Sequence, residues 1–204
     1  MHETLARQLF GCLRQMDVEA CPVPDGTPTG LHGYKAFVDG SFKSTPGTPW
    51  ENCWSNRISE LLASSGQVVR RECRYAEGDR QRCDLVIEQT DKLPVWVEVK
   101  GCWRVLVNDD NTPGASNKSF VKHLHAAAHD VDKLLSILPS VASHVGLLIV
   151  GFDTEDRPIT DAHLSIVRER AAGWAESNES WDDFAYPGFR IRCWFWSKSC
   201  ATAD

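Results

Sequence analysis

The chain has 204 residues, a formal net charge of −6 and a pI near 5.6, which excludes a protein that holds polyanions by overall positive charge. Any contact with phosphate has to be local. Hydrophobic residues at 42% and charged residues at 25% exclude global disorder, and the length fits one domain over 1–204.

Eight cysteines could suggest a disulfide framework, but there is no CxxC pair, and the segment MHETLARQLF has no apolar secretory core. Reduced thiols are expected, several acting as small hydrophobes within apolar runs. The longest strongly apolar stretch, 145–150, is far shorter than the roughly 20 residues that span a bilayer, so a cytoplasmic protein with no membrane partner is expected.

In chain order, Leu5, Leu9, Leu13 and Met16 recur at helical spacing and predict an amphipathic helix over 2–16. Residues 17–49 carry Pro and Gly chemistry, a lid or recognition loop with a short strand at 34–38. A helix over 49–64 has full start and stop signals: Thr48 as cap, Pro49 at the first position, Glu51 three residues after the cap and Gly66 beyond the end. Trp50, Trp54, Ile58, Leu61 and Leu62 form its expected buried stripe, with Cys53, Arg57, Glu60 and Ser64 on a neighbouring face.

Three β-like runs follow, VVRRECRY (68–75), RCDLVIEQ (82–89) and PVWVEVKG (94–101), separated by turn-forming segments. After a polar loop, Val121, Leu124, Ala128, Val131, Leu135 and Leu138 predict a helix over 118–138 ended by Pro139. The continuous apolar run at 145–152 predicts a strand covered on both faces. A helix at about 160–173 and a strand at 189–197 complete an α/β chain with a mixed sheet flanked by helices.

Residues two apart on a strand share a face, so Glu98 and Lys100 project together, away from Val95, Val97 and Val99. Holding such a pair on an apolar strand costs desolvation, which calls for a partner or a task. On the preceding strand Asp84 is likewise an acid among apolar neighbours, and a hairpin would bring it to Glu98 and Lys100. Two carboxylates binding a hard divalent cation, with a lysine to orient water or stabilise charge, make a phosphodiesterase site.

A helix with an internal Glu60, a strand with Asp84 and a strand with Glu98-Val99-Lys100 together resemble the PD-(D/E)xK superfamily of restriction-endonuclease-like enzymes. The resemblance covers roughly 50–150, and thirteen residues lie between Asp84 and Glu98. The proline that precedes the aspartate in that family is Cys83 here. The resemblance implies a restriction-endonuclease-like sheet and catalytic Asp84, Glu98 and Lys100. It implies Mg2+ or Mn2+ on Asp84, Glu98 and Glu60, accessory Arg82 and His129, and nucleic acid, DNA first, as partner, with a homodimer allowed. HDVDKLLSIL (129–138) is similar to the D-x-x-KL helices of these enzymes, and the 118–138 helix that contains it offers Lys122, His129 or Asp130.

Glu60 has an equal alternative as a solvated residue paired with Arg57 at i,i+3. His125 and His129 have zinc-like spacing but no third ligand, Trp194 and Trp196 are expected to pack in the core, and Asp153, Glu155 and Asp156 read as a solvated loop. The other classes are a catalytically inactive scaffold of the same type that binds nucleic acid or protein, and an immunity-like protein with a basic partner.

Overall fold

The computed structural model describes residues 1–19, 31, 49–75, 80–107, 113–115, 117–137 and 139–200. The predicted short strand at 34–38 and most of the Pro/Gly-rich segment lie outside them. Helix α1 (His2–Val18) is followed by α2 (Pro49–Ser64) and by strands β1 (Val69–Arg74), β2 (Arg82–Gln89) and β3 (Lys92–Trp103). A small hairpin, β4 (Val105–Val107) with β5 (Pro113–Ala115), leads to α3 (Asn117–Leu135) and β6 (His144–Thr154). The described chain ends with α4 (Asp161–Arg170), β7 (Ala175–Asp182) and β8 (Phe189–Ser199).

Six strands form one mixed sheet in the order β1-β2-β3-β6-β8-β7, with β3 and β6 parallel and every other pair antiparallel. The parallel pair needs a crossover, and α3 lies within it. β6 alternates nowhere because both of its faces are covered: every residue from Val145 to Thr154 is buried. On one face, Leu9, Leu13 and Met16 of α1 and Trp54 and Ile58 of α2 meet Val97, Val99, Leu148, Val150 and Phe195. On the other, Phe120, Leu124 and Val131 of α3 and Leu164 and Val167 of α4 meet Val86, Trp96, Ile149 and Trp194. No helix among the described residues is long and apolar enough to cross a membrane.

Helix α3 is rotated from its expected stripe. Phe120, Ala127 and Leu134 are buried with Leu124, Ala128 and Val131, while Val121 and Leu135 are exposed. Cys53 is buried in the α2 stripe rather than beside it. The seven described cysteines are free thiols, and Trp194 and Trp196 are core residues. Asp153 corrects the solvated-loop reading, since it is wholly buried. It accepts from the Ile159 amide at 2.7 Å and from Arg190 Nε at 2.9 Å, with Arg192 at 3.4 Å.

A buried acidic pair, Asp17 and Asp183, joins α1 to the β7–β8 connection. Asp17 accepts from the amides of Leu31 and Phe184 and from Trp181 Nε1 at 3.0 to 3.2 Å. Asp183 accepts from the amides of Ala185 and Tyr186 at 2.9 and 3.1 Å. Burial, then the charge of Asp17, pushes the Asp183 carboxyl up to about 7.

Candidate active site

The site forms where β2 and β3 separate. Their ladder shifts register between Gln89 and Ile87, continues to the pair Leu85↔Val97 and stops there. Beyond it Asp84 Oδ2 accepts the Val99 amide at 2.7 Å, so a side-chain carboxylate supplies the acceptor that a continued ladder would have provided. Strand β2 changes face at the same point: Leu85 faces the α1–α2 layer and Cys83 faces the α3 layer, although they are two apart. Opposite Asp84, β1 carries Glu72 at φ 53°, a left-handed residue inside a strand. This distortion takes Asp84 out of simple strand alternation.

Glu98 lies on the α3 side of β3, 3% exposed, with the Asp84 carboxyl close beside it. The Tyr75 hydroxyl donates to Glu98 Oε1 in a very short hydrogen bond. Lys100, two residues on, is held from both helical layers. Its Nζ lies 3.1 Å from Asp130 Oδ2 of α3 and 3.3 Å from Glu51 Oε2 of α2. Glu51 Oε1 also accepts the Gly101 amide at 3.0 Å, and Lys133 pairs with Asp130.

Four carboxylates thus face two ammonium groups in a largely buried cluster. Burial, then the charges of Asp84 and Asp130, pushes Glu98 up to about 9. Asp84 and Glu51 are also raised, chiefly by burial. Burial alone would lower Lys100, but Glu51, Asp130 and Asp84 outweigh it and hold the ammonium above the ordinary lysine range. His123 of α3 stacks edge-on to Trp103 at 4.7 Å, and burial with the nearby Lys100 charge lowers its pKa.

The structure brings Asp84, Glu98 and Lys100 together as the strand pattern predicts. It does not bring Glu60 to them. Glu60 is exposed on α2, accepting from Arg57 at 2.9 Å and from Asn56 at 3.2 Å, because its position turns it off the stripe that packs on the sheet. Glu51 reaches the site instead. It stands three, seven and eleven residues before Trp54, Ile58 and Leu62, so helical periodicity alone puts it on the buried stripe. His129 and Lys122 are exposed on α3, whereas Asp130 is 2% exposed and engaged with Lys100. Arg82 is exposed and donates to the Glu72 carbonyl at 2.9 Å. Tyr75 had no strong signal beyond its place at the end of β1.

The donor chemistry suits a hard divalent cation. Asp84 and Glu98 offer oxygen ligands in a pocket with surplus negative charge, and Mg2+ takes one or two carboxylates with water completing its shell. Among the described residues no three His, Cys, Asp or Glu side chains are arranged as a ready cage, so water would fill the remaining positions. No family model, curated protein or solved structure matches this chain.

Proposed function

We propose that this chain is a metal-dependent nuclease of the restriction-endonuclease-like type, hydrolysing phosphodiester bonds with DNA as its first substrate. The observation that carries the reading is the convergence of Asp84, Glu98 and Lys100 where β2 and β3 part. The succession α2, β1, β2, β3, α3, β6, with strand order β1-β2-β3-β6, supports it.

Asp84 and Glu98 would hold Mg2+ or Mn2+, which when bound polarises a phosphate and makes water a better nucleophile. Lys100 stays an ammonium at neutral pH, since its acids hold its pKa up. It therefore acts as a fixed charge and donor that orients the attacking water or offsets charge developing on phosphorus, and not as the general base. Glu51 and Asp130 fix its direction from opposite layers. As the water oxygen bonds to phosphorus, the P–O ester bond breaks with its electron pair on the leaving oxygen, and the proton that the water gives up is matched by the one the leaving oxygen takes from solvent.

The direct test is incubation with plasmid, linear duplex, single-stranded DNA and RNA, each with Mg2+, Mn2+ or EDTA. Cation-dependent cleavage that Asp84→Asn abolishes is expected. A folded, cation-loaded protein that cuts none of them returns the chain to the inactive-scaffold reading. Within an active enzyme, Glu51→Gln should lower the rate by roughly 10- to 100-fold, as loss of a group that orients a reacting residue does. Glu60→Gln should match wild type, and equal losses in the two variants would refute the assignment of Glu51.

A further inference from the structure

We propose that the groove beside Glu98 seats one unpaired strand of nucleic acid, with a base against Tyr75 and Trp96 and phosphates against Arg70 and Arg74. The binding stands on the groove alone, while its delivery of a phosphodiester to the carboxylates rests on the nuclease reading.

The groove encloses about 500 Å3 and is bounded by Arg70, Arg74, Tyr75, Trp96, Pro94 and Val141. Its floor is aromatic: the Tyr75 and Trp96 rings lie 5.8 Å apart at 38°. Its rim is cationic. The Arg70 side chain is 57% exposed and pairs with Glu88 through Nε. Arg74 is exposed, and its guanidinium has no partner among the described residues. The described residues 70–75 and 80–82, at the β1 edge of the sheet, hold five arginines against one acid in a chain of net charge −6.

Two further features favour a nucleotide. Trp96 is 6% exposed and backs the Tyr75 ring, and its buried Nε1–H lacks an acceptor among the described residues. Tyr75 belongs to both places: its ring lines the groove and its hydroxyl donates to Glu98. A strand lying on this ring therefore runs towards the carboxylates. A duplex keeps its base faces stacked on one another and offers an aromatic floor only edges and phosphates. An unpaired strand offers the faces themselves.

The test is fluorescence anisotropy of the full chain with labelled oligothymidylate, the matching RNA and a duplex, in EDTA so that binding is read without cleavage. The single strands should bind more tightly than the duplex, and the tighter of the two names the sugar. Tyr75→Ala should weaken strand binding by about 5- to 150-fold, the range for losing one stacked base. Arg74→Ala should reduce the slope of log K against log salt by about 0.7, and Arg70→Ala with Arg74→Ala by about 1.4. Because Arg74 is exposed, its variant keeps the test sound even if Tyr75→Ala fails to fold. An unchanged slope in the double variant, or tighter binding to duplex, overturns the proposal. Strand binding with these changes in a chain that cleaves nothing keeps the groove and removes the nuclease reading. Duplex cleavage indifferent to Arg70 and Arg74 does the reverse.

Discussion

Lys100→Ala is expected to lower the kcat of phosphodiester cleavage by roughly 100- to 1,000-fold while changing substrate affinity little, the pattern for losing an electrostatic stabiliser that acts mainly in the transition state. Asp84→Ala and Glu98→Ala should be at least as severe, because each removes an oxygen ligand. Any two of the three together should add little to the worst single loss, since the residues act as one unit. Removing Lys100 also leaves Glu51 and Asp130 facing one another with less compensation, although Gly101 still donates to Glu51 and Lys133 to Asp130. Thermal melting of the variant separates that structural effect from the chemical one. Single-turnover rates within tenfold of wild type in a folded Lys100→Ala protein would remove Lys100 from the mechanism.

Asp183→Asn is expected to stabilise the protein at alkaline pH and to flatten its dependence on pH. With the folded carboxyl held up to about 7 and an unfolded value near 3.8, the folded state binds the proton more tightly. The stability contributed by that proton is complete below about pH 4 and is lost as the pH rises through 7. Asparagine keeps an oxygen for the Ala185 and Tyr186 amides and never ionises beside Asp17. The variant's advantage should therefore grow by about 2 to 3 kcal/mol between pH 5 and pH 8 and then level off. Urea unfolding across this range is the measurement. Parallel stability curves for the two proteins would show that Asp183 does not titrate there.

The elements read most faithfully from sequence are those whose burial imposes a period. The 49–64 helix emerges with its expected bounds as Pro49–Ser64, and Glu98 and Lys100 are identified by sharing a face against three valines. Asp84 is found as an acid amid apolar neighbours, yet its contact with Val99 depends on the ladder ending at Leu85, which no spacing announces. Glu51 was legible as a member of the Trp54–Ile58–Leu62 stripe. Its place three residues after a capping threonine supplied a complete explanation and hid that membership. Strand β7 carries no strand signal, because AESNESWD has no apolar alternation: it is an edge strand held by its ladder to β8. β4 and β5 are invisible to periodicity because three residues cannot display one.

The placement of α1 bears on the order of folding. His2 hydrogen-bonds to Ser197 and Ser177 and stacks on Phe195, while Arg14 and Asp17 reach Glu179 and Trp181. These contacts link residues up to 195 positions apart. Closing loops of that length is slow and gains nothing until both partners exist. On the ribosome, α1 is made before β7 and β8, so its apolar side, with Leu5, Leu9, Leu13 and Met16, can pack with α2 and the earlier strands first and gains its end-strand contacts only later. Nascent chains stalled before β7 should hold that helix by α2 and the earlier strands alone, with the end-strand contacts of His2, Arg14 and Asp17 still unmade, and the arrival of β7 and β8 completes its cover.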